Sequence, residues 1–126
     1  MDYAYKRATT KGFAETIEAV ESQVGLHGFV VQQFHDIRAR LTAKGFEIRP
    51  LVIFEIAPVD GPGDEMIALL MPCRINVYEE GDGVVVAALR PTVFNAVFPE
   101  HELDAVSRKV EAQIIDLVDR ATAPAV

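Results

Sequence analysis

The chain carries a single cysteine, Cys73, inside the segment MPCRINVYEE at residues 71–80, which reads as a β-strand. A thiol acts as a nucleophile when it is ionised and accessible, and a neighbouring cation favours the thiolate. Arg74 follows it directly, but alternate side chains of a strand point to opposite faces, so this guanidinium leaves on the side away from the thiol. Alternation favours a buried structural cysteine among apolar neighbours. A reactive thiol stays open as an alternative, because Pro72 can break the strand and leave Cys73 accessible.

The polar side chains of the same segment suggest a second kind of site. Alternation places Arg74, Asn76 and Tyr78 on one face. Glu55 interrupts the apolar segment LVIFEIA, where a carboxylate is costly unless it meets water or a partner such as Arg74. If the two strands are close, these side chains converge near His35, at the end of another predicted strand. The sequence thus predicts a small ligand-binding patch; an ordinary solvated sheet face or a dimer contact is the alternative.

No pattern typical of a metal, phosphate or catalytic site accompanies these residues. The three histidines lack metal-ligand spacing: His27, His35 and His101. Acidic residues around His101 suit a helix N-terminus, and GPGDE at 61–65 lacks the Lys and Ser/Thr of a P-loop. No metal, cofactor or catalytic residue is therefore predicted, and whether the chain is an enzyme stays open.

Apolar spacing in the first half predicts the elements that would position this patch. Residues 2–9 read as a strand, followed by a helix that Thr10 caps and that ends at Gly28. The apolar stripe of this helix is Phe13, Ile17, Val20 and Val24. A strand at 29–34 leads to a short helix through Ile37 and Leu41, capped by Asp36 and stopped by Gly45.

The second half predicts three more strands and a long helix. Residues 46–58 form a strand, with Pro50 at an edge, a strand start or a bulge, and one or two helical turns follow at 64–70. The segment EEGDG joins the strand of Cys73 to VVVAAL as a tight antiparallel hairpin. After a partly helical turn in RPTVFNAVFPE, a three and four spacing marks the last helix, with Pro99 in its first turn. The stripe is Leu103, Val106, Val110, Ile114, Leu117 and Ala121.

This order predicts one α+β domain over residues 1–126. It has an antiparallel sheet of about five strands in β-α-β-β-β-β-α order, with short extra helices. Both long helices are apolar on one stripe only, so they should pack on a single face of the sheet. The other face is then open to solvent or covered by a second subunit.

Composition limits the partners and the compartment. Twelve Lys and Arg against nineteen Asp and Glu give a net charge of −7, which opposes binding to nucleic acid and to anionic membranes. The basic residues Arg38, Arg40 and Lys44 read as the solvated side of one short helix. No apolar segment is long enough to span a bilayer and none resembles a signal peptide, so a cytoplasmic protein is expected. One cysteine excludes an intrachain disulfide.

The order of these signals resembles the prokaryotic domain-of-unknown-function family 302 over residues 8–98. Its most specific part is a Pro-Cys followed by a strand and a Gly hairpin, matched by Pro72, Cys73, Val77, Tyr78, Gly81 and Gly83. The resemblance implies a compact α+β domain with a curved antiparallel sheet on helices, and a homodimer. It implies no reaction. Some relatives have a second cysteine where this chain has Ala57, which weakens the case for redox chemistry here.

Two functions follow as hypotheses. The favoured one is a homodimeric module that binds a small molecule or a protein partner at the helix-free sheet face through His35, Glu55, Arg74, Asn76 and Tyr78. The alternative is a thiol or sulfur-handling protein that uses Cys73.

Overall fold

Nine helices and strands make up the part of the chain that the computed structural model describes, which is residues 2–60, 71–97, 99 and 103–124. The strands are β1 Ala4–Thr9, β2 Phe29–Asp36, β3 Leu51–Pro58, β4 Cys73–Glu80 and β5 Gly83–Leu89. The helices are α1 Phe13–Leu26, α2 Ile37–Ala43, α3 Val93–Val97 and α4 Asp104–Thr122.

The first long helix forms on the predicted apolar stripe, but its cap is not the predicted one. Val20 and Val24 of α1 are fully buried. Gly12 rather than Thr10 is the N-cap residue, and its carbonyl accepts bonds from the backbone N–H and the hydroxyl of Thr16. Thr10 lies two residues before that cap, and no side chain caps the helix. Gly28 follows the helix with φ of 81°, as expected for a glycine that ends a helix.

The predicted cap of α2 is confirmed. The Asp36 side chain accepts a hydrogen bond from the Ala39 backbone N–H. Gly45, with φ of 88°, follows the helix, and Phe46 donates its N–H back to the Leu41 carbonyl. β2 extends through Asp36 rather than ending at residue 34, so His35 lies inside the strand.

Two strands begin later than predicted. β3 begins at Leu51, so Pro50 precedes an inner strand that pairs with neighbours on both sides. A proline is tolerated there because it has no ladder hydrogen bond to donate. β4 begins at Cys73, which leaves Met71 outside the strand. β4 and β5 form the predicted hairpin, with Gly81 and Asp82 between the paired residues Glu80 and Gly83.

The last helix begins at Asp104, with Leu103 as its N-cap residue, so the prediction that Pro99 lies in its first turn is wrong. α3 confirms the helical content expected after β5. The helical turns predicted at 64–70 fall outside the described residues. None of the described helices is long and apolar enough to cross a membrane.

The five strands form one antiparallel sheet in the order β1-β5-β4-β3-β2. α1 and α4 contact each other and pack on the same face of it, as predicted. Alternate strand residues point into this layer, which is why β3, β4 and β5 each show every second residue buried. The core contains the side chains of Phe54, Ile56, Ile75, Val77, Val86, Ile114 and Leu117. Neither α1 nor α4 covers the opposite face of the sheet, which we call the helix-free face.

Candidate functional site

The sequence prediction of a carboxylate–guanidinium pair on the helix-free face matches the sheet register. Glu55 of β3 lies directly opposite Arg74 of β4. The Arg74 Nη2 and Glu55 Oε1 atoms are 3.2 Å apart, and the Arg74 side chain is 64% exposed while that of Glu55 is 14% exposed. A mostly buried carboxylate therefore holds the exposed guanidinium in place.

His35 of β2 extends this pair toward α2. Its Nε2 lies 3.0 Å from Glu55 Oε2, and its Nδ1 lies 2.6 Å from Nη2 of Arg40. A guanidinium can only donate, so Nδ1 accepts from Arg40 and Nε2 carries the proton that it donates to Glu55. The hydrogen bond from His35, and secondarily the charge of Arg74, lower the pKa of Glu55 against the opposing effect of desolvation. Glu55 is thus a carboxylate at neutral pH, held between His35 and Arg74.

Asn76 and Tyr78 follow Arg74 on the same face of β4, half-buried. Asn76 lies opposite Ile53 on β3 and Ala87 on β5. These neighbours are apolar, and no hydrogen bond to the side chains of Asn76 or Tyr78 is present within the described residues. Their amide and hydroxyl groups are therefore available to a ligand.

An open depression of about 360 Å³ lies over this part of the sheet. Its polar lining consists of Arg74, Asn76, Tyr78, Tyr3 and Lys6. Glu55 and His35 do not line it. The structure therefore divides the predicted patch into three lining residues and two others: Glu55, which contacts Arg74, and His35, which contacts Glu55.

The N-terminal strand contributes to this depression, which was not predicted from the sequence. Lys6 lies opposite Ala87 because β1 pairs with β5, a strand far from it along the chain. Alternation within β1 does separate Lys6 from Tyr5 and Arg7. That pattern could identify its face, but it could not identify β5 as its neighbour.

Cys73 lies on the other face, beneath the helices, and is 7% exposed. Its Sγ lies 3.8 Å from Sδ of Met71. Burial raises the pKa of the thiol to about 11, so the thiolate is scarce at neutral pH. This geometry matches the buried structural cysteine and offers no support for the thiol hypothesis.

The histidines are used in different ways. Between α1 and α4, His27 Nε2 lies 2.7 Å from Asp116 Oδ2 and its Nδ1 lies 2.7 Å from the Gln23 carbonyl. Within the described part of the chain, no group of three or more His, Cys, Asp or Glu side chains could hold a metal ion. His101 and its acidic neighbours Glu100 and Glu102 lie outside the described residues.

Comparison with known proteins supports the fold and the family. The structure is similar to the crystal structure of an uncharacterized conserved DUF302 protein from Bacillus stearothermophilus, with a TM-score of 0.83 and 22% sequence identity over 96% of this chain and 99% of that one. No curated protein gives a significant match. The family model described as "Domain of unknown function DUF302" matches residues 5–58 and 63–121. This chain therefore belongs to the DUF302 family.

Proposed function

We propose that this protein is a binding module that holds a small molecule in the depression on the helix-free sheet face. The observation that carries the proposal is that several polar groups lining one depression have no partner among the described residues. These groups are the Lys6 ammonium, the Asn76 amide and the Tyr78 hydroxyl, beside the exposed Arg74 guanidinium. The volume of about 360 Å³ falls within the range typical of small-molecule sites.

The support around Arg74 strengthens this proposal. Glu55 contacts one terminal nitrogen of the guanidinium, which leaves other N–H groups of that side chain for a ligand. Glu55 is in turn held by His35, and His35 by Arg40. An arginine whose position is already set by this series of side-chain contacts loses less conformational entropy when it binds a ligand.

The test is an NMR screen of the ¹⁵N-labelled protein against a mixed panel of neutral, cationic and anionic small molecules. We expect at least one compound to shift the amide signals of Asn76, Tyr78 and Ala87 in a saturable way, and we expect Arg74→Ala to abolish the shifts while the protein stays folded. Arg108→Ala is the matched control, because Arg108 also pairs with a carboxylate, that of Asp104, but lies on α4. Unchanged binding by Arg74→Ala would exclude this site.

A homodimer is proposed on a separate feature, the outer edge of β2. Among the described strands β2 pairs only with β3. It has no Lys, Arg, Asp or Glu before Asp36, and it exposes three apolar side chains, Val30, Val31 and Phe34. The opposite edge, β1, carries Lys6 and Arg7, charges of the kind that prevent strands of two molecules from pairing.

The occupant that this edge fits best is the β2 strand of a second copy, paired antiparallel about a twofold axis. The two edges are identical and nearly uncharged, so apolar side chains meet apolar side chains in such an isologous contact. A register shift between Val31 and Gln33 interrupts the strand. We therefore expect the apolar side-chain contacts to contribute more to the stability of the dimer than the backbone hydrogen bonds between the two β2 strands.

Sedimentation velocity tests this dimer. The double variant Val30→Lys and Val31→Lys places like charges across the twofold axis, and we expect it to be a monomer while the natural protein is a dimer. The variants Leu26→Lys, at the exposed end of α1, and Ala8→Lys, on the β1 edge, should stay dimeric. A monomeric natural protein, or a double variant that still dimerises, would contradict pairing through β2.

A further inference from the structure

The charge inside the depression is opposite to that of the whole chain. The chain has nineteen acidic and twelve basic side chains. Among the described residues, the depression is lined by two cations, Lys6 and Arg74, and by no Asp or Glu. A local positive field in an acidic protein favours an anion there over a neutral or cationic molecule.

The two cations come from strands that are not neighbours. Lys6 on β1 is in line with Asn76, whereas Arg74 lies two residues from Asn76 on β4. Because β5 separates the two strands, the backbones of Lys6 and Arg74 are about 12 Å apart. Lys6 has neither a hydrogen bond nor an ion pair within the described residues, although its side chain is long enough to reach a group at the centre of the depression. An anionic head group between the two side chains would satisfy both.

Apart from Asn76, the rest of the described lining is apolar or aromatic. Ile53 and Ala87 lie opposite Asn76 on its two neighbouring strands, and Leu89 at the margin is 45% exposed. Such a surface gains free energy when an apolar group covers it. The ligand should therefore carry an apolar or aromatic body beside its charged head.

Glu55 limits the charge of that head. It contacts Arg74 and is ionised at neutral pH, so among the described residues the charges of Lys6, Arg74 and Glu55 sum to a single positive charge. A monoanion matches this charge. A dianionic phosphate would keep one uncompensated negative charge next to Glu55, in a protein whose net charge is already −7.

We infer that the ligand class of this site is a small monocarboxylate with an apolar or aromatic body, its carboxylate held by Arg74 and Lys6 and its body lying on Ile53, Ala87 and Leu89. The inference rests on the proposed function. It adds the chemistry of the ligand and a role for Lys6.

The experiment compares phenylacetate, hexanoate, phenylacetamide and inorganic phosphate by NMR titration of the natural protein at constant ionic strength. We expect the two carboxylates to shift the signals of Asn76 and Ala87, and the amide and phosphate to bind at least about tenfold more weakly. Phenylacetamide loses a charge-assisted hydrogen bond, which costs about that factor. Phosphate lacks an apolar body and brings a second negative charge next to Glu55. Lys6→Met and Arg74→Met should each weaken phenylacetate about tenfold. Lys109→Met, which removes an exposed lysine of α4, should leave it unchanged.

The possible failures have distinct signatures. If phenylacetamide or phosphate binds as tightly as phenylacetate, the ligand class is wrong while the site itself survives. If Lys6→Met has no effect, the carboxylate is not held by Lys6 and that part of the inference is wrong. If neither these probes nor any compound of the mixed panel shifts the signals of this face, both the class and the proposed function are wrong. Thermal unfolding checks that each variant is folded. We expect each to fold, because Lys6 and Arg74 are exposed and replacing them removes no core contact.

Discussion

Cys73 and Arg74 are neighbours in sequence with opposite environments. The thiol lies under the helices, and the guanidinium lies at the surface of the other face. Successive side chains of a strand point to opposite faces, so one points into the core and the next toward solvent. The chemistry of each residue therefore follows from its parity in β4 and not from its neighbour in the chain.

The first prediction concerns the Cys73 thiol. Burial raises its pKa to about 11, so iodoacetamide should alkylate the native protein slowly at neutral pH and rapidly once urea unfolds it. The native rate should rise as the pH approaches 11. Mass spectrometry after timed quenching measures both rates. Rapid labelling of the native protein at neutral pH would contradict the buried thiol and revive the sulfur-handling hypothesis.

A second residue-scale prediction concerns Glu111 of α4, which is 8% exposed. It accepts hydrogen bonds from Arg90 and from both the backbone N–H and the hydroxyl of Thr92. Glu111→Ala leaves these donors without their acceptor, and we expect a loss of about 2 kcal/mol in the free energy of unfolding by urea. Glu18→Ala, at an exposed glutamate of α1, should change it by less than about 0.5 kcal/mol. Equal effects of the two changes would show that the Glu111 contacts contribute nothing.

At the scale of elements, turns and caps set where each strand and helix ends. Gly81 begins the two-residue connection of the β4–β5 hairpin with φ of 60°, a left-handed conformation that favours glycine. Gly25 lies within α1 and has ordinary helical backbone, with open space where a methyl group would go. The same substitution should therefore have opposite effects at the two positions.

Gly81→Ala should lower the free energy of unfolding by about 1 kcal/mol, because alanine is strained in the left-handed region. Gly25→Ala should raise it by about 0.5 to 1 kcal/mol, because alanine favours the helix and restricts the unfolded chain. Urea unfolding of the two variants beside the natural protein measures the difference. Destabilisation by both changes, or by neither, would be inconsistent with these backbone conformations.

At the scale of the whole molecule, acid should destabilise the protein. Hydrogen bonds from His35 lower the pKa of Glu55, and those from His27 and Arg120 lower that of Asp116. Desolvation raises the pKa of Glu111, but bonds from Arg90 and Thr92 outweigh it, and the net shift is downward. All three carboxylates are thus more acidic in the folded chain than in the unfolded one.

A carboxylate with a lowered folded pKa contributes stability above its unfolded pKa and loses it as the pH falls through the folded value. The ordinary values are 4.5 for the two glutamates and 3.8 for Asp116. The free energy of unfolding by urea should therefore be steady near neutral pH and fall below about pH 4.5. Glu111→Gln should make that fall less steep. A free energy that stays constant down to about pH 3 would contradict the lowered pKa values.

Local patterns predicted most of the elements. The apolar stripes of α1 and α4, the Asp36 cap and the Gly81 hairpin each depend on residues within a few positions of one another, and the structure has all of them. The errors lie at boundaries: Thr10 and Pro99 had suitable residue types for helix starts, yet α1 begins after Gly12 and α4 after Leu103. Several residues near a helix start can cap it, and the packing of the helix selects among them.

Residue periodicity within single elements predicts the α+β class, the single face that the long helices cover, and the opposite sides of β4 on which Cys73 and Arg74 lie. The folded chain was needed to show that Glu55 contacts both Arg74 and His35, and that Lys6 lines the depression beside Asn76 and Tyr78. Strand order and register come from the packing of segments far apart in the chain. No spacing within β1 records that its neighbour is β5.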